Sequence, residues 1–357
     1  MRKIKIGSGA GFAGDRIEPA IELIEKENLD YIIFECLAER TIAIAQKQKL
    51  EDPNKGYNSL LEHKMKRVLL PCKSKNTKII TNMGSANPIA AVEKTVEIAR
   101  KLKINNLKIA AVIGDDIFHL IDNFYDEPIL EFDSRLADIK DKIISANVYC
   151  GSEGIVAALE DGADVIITGR VSDSSLTLAP LIYEFGWTAE KDPHKFGQGV
   201  VAGHLLECGG QVTGGYYANP GYKEVPGLGK LGFPFAEIDE NGKLTISKVE
   251  DSGGIVTTAT CKEQLLYEIH DPSQYITPDC IADFSKIELI QIDKDVVEIK
   301  NATVHGIPPT LKVSIGYRDG YIGEGEISYG GTNSLKLAQL AAKIVEERLN
   351  IVGAEFE

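Results

Sequence analysis

The feature that most constrains this chain is a unit repeated six times in its first half: a short apolar run, a loop of glycine, asparagine or aspartate, and then a helical pattern. Lys3 to Ile6 runs into Gly7–Gly14, Tyr31 to Phe34 into Glu35–Arg40, and Lys78 to Thr81 into Asn82–Pro88. Lys108 to Ile113 runs into Gly114-Asp-Asp-Ile, Ser145 to Tyr149 into Cys150–Gly154, and Val165 to Thr168 into Gly169–Ser175. Strands alternating with helical stretches predict an α/β fold, a parallel sheet with flanking helices of Rossmann-like type. Tyr31-Ile-Ile-Phe34 has no polar residue, as a strand buried on both faces requires. One parallel sheet would bring every loop that follows a strand to a single edge, where open α/β sheets bind ligands.

Those loops supply the first candidates. Gly9, Gly11 and Gly14 satisfy G-x-G-x-x-G after a strand, and Glu35 ends the next strand, about where a ribose-binding acid would stand. In a dinucleotide fold, however, the helix starts inside the glycine run, whereas here Asp15, Arg16 and Glu18 come before Pro19. Nicotinamide binding, a cradle for another anionic group with Arg16 as its partner, and a tight structural loop all remain open. Glu35 reads either as an acid or base at the mouth of the sheet or as a carboxylate favoured by a helix N-terminus. Asn82 and Gly84 lie on the third loop, with Asn87 suited to cap the helix opened by Pro88. Arg170 and Asp173, on a Gly-Arg-x-x-Asp turn, fit a clamp for a substrate carboxylate and equally a structural ion pair.

The densest stretch is Ala202-Gly-His-Leu-Leu-Glu-Cys-Gly-Gly-Gln-Val-Thr-Gly-Gly215. On a helix, His204, Glu207 and Cys208 fall on one face, because residues three and four apart are neighbours. Gly209 and Gly210 then end the helix and let the backbone pass close to something. A metal variant with His204 and Cys208 as ligands lacks a local third ligand, so no metal is expected.

After Gly215 the pattern changes. A Gly/Pro/Tyr-rich passage leads to a hairpin over residues 235–238 and 244–247, a helix over 263–269, and alternating segments at 287–292, 296–299 and 311–315. A last amphipathic helix begins at Ser334. Two domains are therefore expected: 1–215, α/β with the parallel sheet, and 216–357, α+β with antiparallel strands. Glu324 and Glu326 alternate on a glycine-rich run read as a strand, so both would point the same way, to solvent or to the cleft.

Composition closes several doors. A net charge of −14 over 357 residues, with no basic stripe, argues against a nucleic-acid partner. No segment approaches the roughly 18 unbroken apolar residues of a membrane span, and the start of the chain does not read as a secretion signal, so a cytoplasmic protein with no membrane partner is expected. The six cysteines are scattered without C-x-x-C spacing, which indicates neither a disulfide framework nor a structural zinc.

Taken together, Gly11–Arg16, Glu35–Glu39, Thr81–Gly84 with Asn87-Pro88, Thr168–Asp173, Ala202–Gly215, Glu263–Pro272 with Thr277–Asp279, and Gly323–Tyr329 make the chain resemble the acyclic terpene utilisation (AtuA-type) family. The resemblance implies a cytoplasmic catabolic setting, the breakdown of branched acyclic terpenoids through CoA thioesters, without supplying a reaction or catalytic residues. Longer relatives carry an extra C-terminal module, which implies a separately encoded small subunit of about a hundred residues as a partner. A homo-oligomer is also expected.

The reading is a non-redox enzyme, a hydro-lyase (hydratase) or isomerase, acting on a small carboxylate or acyl-CoA at a cleft between two domains. No cofactor is expected beyond a CoA moiety carried by the substrate. His204, Glu207, Cys208, Glu35 and Asp173 are the candidate acids and bases. Gly9, Gly11, Gly14, Arg16, Asn82, Gly84, Arg170, Gly209 and Gly210 are the candidate binding groups. A nicotinamide-dependent oxidoreductase and a non-catalytic acyl-CoA-binding subunit are the alternatives.

Overall fold

The computed structural model describes residues 1–356, and the chain divides into two compact units, Met1–Tyr317 and the residues from Arg318 on. The first unit opens with β1 (Lys3–Ala10), α1 (Glu18–Lys26), β2 (Tyr31–Phe34), α2 (Glu39–Glu51), α3 (Leu61–Lys75) and β3 (Lys78–Thr81). It continues through α4 (Pro88–Lys101), β4 (Ile109–Val112), β5 (Ile143–Val148), α5 (Glu153–Glu160), β6 (Val165–Thr168), α6 (Ser175–Phe185) and α7 (Pro193–Leu206). The remaining elements are β7 (Pro234–Asp239), β8 (Leu244–Lys248), α8 (Thr258–Leu266), β9 (Tyr275–Ile276), β10 (Ile281–Asp283), β11 (Glu288–Asp293), β12 (Val296–Lys300), β13 (Thr303–Gly306) and β14 (Val313–Tyr317).

A nine-stranded sheet in the order β11-β12-β8-β7-β1-β2-β3-β6-β4 organises this unit. From β1 to β4 the strands run parallel, so the α/β class read from the repeats is the one adopted. β7 then joins the open edge of β1 antiparallel, and β8, β12 and β11 continue outward. The hairpin that follows residue 215 thus extends the same sheet. The change of periodicity at 215 marks the passage from parallel to antiparallel pairing inside one compact unit.

β5 is the predicted parallel strand that leaves the sheet: it pairs antiparallel with β14, Ala146 opposite Ile315. A strand buried between two helix layers needs apolar residues on both faces, and Ser145 and Asn147 deny β5 one of them. Its apolar side covers a small separate cluster with Ile121 and Leu136. The main sheet shows the opposite pattern. Ile33, Ile80 and Ile166 pack on one side with α5, α6 and α7, while Ile32, Ile79 and Ile167 pack on the other with α1, α3 and α4. This is the two-residue period of a strand buried on both faces.

Every residue of α7 from Phe196 to Leu206 is buried. Its glycines make that possible. A Cβ at Gly197 would come within 2.6 Å of the Thr303 backbone nitrogen, and one at Gly203 within 2.6 Å of the Ser174 carbonyl oxygen. The helix therefore lies directly against α6 and β13, and whatever its last turn carries is delivered into the interior.

The second unit holds α9 (Ser334–Val352), amphipathic as its periodicity predicts and without a buried residue. The run around Glu324 and Glu326, expected as a strand, forms none, and both side chains are exposed. Glycine on both sides of Glu324 disfavours extended pairing, and no partner strand is recorded there. Among the described residues no helix is long and apolar enough to cross a membrane.

Candidate active site

The loops after β1, β2 and β6 meet the last turn of α7 around a cavity of about 460 Å³. Residues 267–268, 275–278 and 310–312 close its other side. The edge of convergence read from the repeats is therefore real, but only three of the five parallel strands of the main sheet contribute a loop to it.

His204 sits on the last turn of α7 and Glu207 caps the helix, three residues on, so the helical spacing presents both to the same wall. His204 Nδ1 stands 2.9 Å from Glu207 Oε1, at ion-pair distance though off hydrogen-bond alignment, and Nε2 has no hydrogen-bond partner in the protein. The ring packs between Tyr275 and Phe284, with centroids at 5.2 and 5.7 Å. Burial works to lower the pKa of His204, but the Glu207 carboxylate outweighs it and the imidazole is held above its ordinary value. Burial likewise raises Glu207, against the pull of His204.

The second acidic pair comes from the sheet. Glu35 Oε1 accepts from the Leu37 N–H at 2.8 Å and from Asn82 Nδ2 at 2.9 Å. Burial first, and the neighbouring Asp173 carboxyl second, push Glu35 well above the usual carboxylate range. Asp173 is also raised by burial, although Arg170 opposes this. Arg170 opposes the rise at both carboxyls but bonds only Asp173 directly, so of the two Asp173 is the one better held as a carboxylate.

Arg170, expected as a substrate clamp, does not line the cavity. It is 1% exposed, donates to the carbonyl oxygens of Leu37 (2.7 Å) and Val171 (2.9 Å) and to Asp173, and lies 4.4 Å from the Tyr149 ring centroid. It ties the β6 loop to the β2 loop from behind the wall. Asn82 acts in the same way: its Oδ1 accepts from the Cys36 N–H at 2.7 Å while its amide holds Glu35.

Most of the glycines also serve packing. β1 runs through Gly9, whose missing side chain makes room for the Phe34 ring, and α1 begins only at Glu18. A Cβ on Gly11 would fall 2.3 Å from the Cys208 carbonyl carbon, so the β1 loop rests directly on the end of α7. Gly209, at φ +54°, makes the turn that ends this helix region. Gly84 approaches the Thr168 carbonyl, Gly210 the Leu231 side chain, and Gly14 the Phe12 ring. One amide of the loop is occupied from within, since the Gly11 N–H donates to Asp15 Oδ2 at 3.0 Å. Arg16 turns away to the Leu231 carbonyl. The helix does not start inside the glycine run as a dinucleotide fold requires, because β1 continues through Gly9 to Ala10 and α1 begins four residues after Gly14.

Cys208 lines the cavity, but burial and then the nearby Glu207 push its thiol up, which makes it a poor proton donor. Among the described residues no group of three or more His, Cys, Asp and Glu side chains is placed to hold a metal ion.

Several lining residues escape sequence reasoning. Lys312 donates to Glu39 Oε1 at 2.9 Å and lies 4.8 Å from the Tyr149 ring centroid, and Tyr149 also donates its hydroxyl to Glu39. Burial would raise Glu39, yet these bonds lower its carboxyl to about 2. Glu39 is within reach of a sequence reading, being part of the Glu35–Glu39 stretch. Tyr149 and Lys312 are not, because they meet only through the β5–β14 pairing. Glu268, at the rim, is held at φ +58°.

One consequence can be measured directly. Glu35→Gln keeps an oxygen for the Leu37 and Asn82 donors and removes the charge. Glu35 has a folded-state pKa above its unfolded value, so the stability linked to its proton is full below the ordinary carboxylate range and is lost as pH rises through the folded value. Melting curves across this window should show the wild type losing stability relative to Glu35→Gln as pH increases. Parallel curves would contradict the assignment.

Fold and site together define an α/β protein with an acid-lined cavity at the carboxyl edge of its parallel strands. The chain belongs to the acyclic terpene utilisation family: the family model described as acyclic terpene utilisation family protein AtuA matches residues 4–357. The family's name denotes a catabolic role. No curated protein and no solved structure matches the chain.

Proposed function

We propose that the protein is an acid–base enzyme, a hydro-lyase or isomerase acting on a small carboxylic acid or its thioester in the catabolism of branched acyclic compounds. The observation that carries this reading is the His204–Glu207 pair, buried at 2.9 Å on the wall of a cavity that also holds Glu35 and Asp173. Pairs of titratable groups whose surroundings set their protons apart are the usual signature of acid–base work.

In this scheme Asp173, kept charged by Arg170, takes the proton alpha to the substrate carbonyl, and the C–H electron pair enters an enolate. The Glu35 carboxylic acid donates a hydrogen bond to the carbonyl oxygen and stabilises the charge forming there. The His204 imidazolium, sustained by Glu207, delivers a proton to the gamma carbon in an isomerisation or to the departing hydroxyl in a dehydration. One oxyanion donor contributes about 10²- to 10³-fold, and a general acid or base about 10²- to 10⁴-fold.

Incubation with branched 2-enoyl and 3-hydroxyacyl thioesters and free acids in deuterated water tests the reading. Deuterium should enter the alpha or gamma position of at least one of them. An unlabelled, unconverted panel would sink it.

A further inference from the structure

We infer that the cavity selects an uncharged acyl compound, an ester or thioester with an apolar chain, and rejects the matching free carboxylate. The inference rests on the acid–base reading for its choice of site, and its selectivity follows from how the charges at that site are already matched.

Each basic side chain at the cavity has a carboxylate of its own. Lys312 pairs with Glu39 at 2.9 Å, His204 with Glu207 at 2.9 Å, and Arg170, behind the wall, with Asp173. Glu35 and Glu268 then remain, among the described residues, with no cation at ion-pair distance. Three amides beside the carboxyl groups are taken as well: the Gly11 N–H by Asp15, the Leu37 N–H by Glu35 and the Cys36 N–H by Asn82. An incoming carboxylate would be stripped of water among carboxyl groups with nothing to neutralise it.

A neutral carbonyl compound meets none of these costs. Its oxygen needs one donor, and Glu35, a buried carboxyl on the cavity wall whose hold on its proton burial strengthens, is placed to supply it. Phe12, Ile276 and Leu311, at 59%, 62% and 49% exposure, give the cavity an apolar collar suited to a hydrocarbon chain. An ammonium ligand is less suited, since Glu39, Glu207 and Asp173 already hold cations and Glu268, which has none, stands at the exposed rim.

Calorimetric titration of the full-length protein at neutral pH with three probes of one carbon skeleton tests this: 3-methylbut-2-enoate, its N-acetylcysteamine thioester, and 3-methylbut-2-enylamine. The thioester should bind at least about tenfold more tightly than the acid or the amine. Glu39→Gln, which frees Lys312, should raise the affinity for the acid about fivefold or more and narrow the gap. The inference is overturned if the acid or the amine binds as tightly as the thioester, if the thioester does not bind, or if Glu39→Gln leaves the acid unchanged. Thioester binding without deuterium exchange would remove the acid–base reading and leave the selectivity standing. Tight acid binding with exchange would do the reverse.

Discussion

His204→Asn is expected to slow proton exchange on a bound substrate by about 10²- to 10⁴-fold while changing its affinity by less than about threefold. The asparagine amide keeps a donor near the position of Nδ1, so Glu207 is not left as a bare buried carboxylate. The atom removed is Nε2, which has no partner in the protein. The pH profile separates a chemical role from a structural one. Because Glu207 holds the imidazole above its ordinary pKa, wild-type exchange that depends on the imidazolium must fall as pH rises through that raised value. The variant should lack this limb of the profile. A variant that exchanges at the wild-type rate would leave His204 as a buried aromatic in the Tyr275–Phe284 cluster.

The second large effect belongs to Arg170. Arg170→Ala should destabilise the protein by about 3 kcal/mol or more, since truncating one side of a buried ion pair strands the other and here also leaves the Leu37 and Val171 carbonyls without their donor. Arg170→Lys should recover only part of this loss, because a single ammonium cannot reach three acceptors spread over two loops. Arg16→Ala is the matched control. Arg16 is exposed and makes one bond to the Leu231 carbonyl, so its removal should cost no more than about 0.5 kcal/mol. Denaturant midpoints for the three variants give the comparison, and an Arg170→Ala midpoint close to that of Arg16→Ala would show that the guanidinium does not join the two loops.

Arg16 and Arg170 looked alike in the chain, each a basic residue within three positions of an aspartate on a glycine-containing turn after a strand. What separates them is distance in space. The β6 loop passes under the β2 loop, so Arg170 has three acceptors to fill, while nothing comparable approaches Arg16. The glycines divide for a similar reason. The G-x-G-x-x-G spacing suits a loop wrapped round a phosphate and also a loop laid on another backbone, and the nearness of Cys208 to Gly11 decides for the second.

Local pattern was enough to establish the parallel strands β1 to β4 and β6, the hairpin β7–β8, the amphipathic α9 and the pairing of His204 with Glu207. Each of these depends on a period of two or 3.6 residues, or on spacing along one helix, and such regularities are written in consecutive residues. Tertiary structure alone decided that β5 would leave the sheet for β14, that β7 would extend it from β1, and that Glu39, Tyr149 and Lys312 would meet at the cavity. It also decided which carboxyl groups would face one another there. The physical reason is that strand partners and buried charges are chosen by what approaches from far along the chain, through desolvation and ion pairing that no stretch of neighbouring residues records.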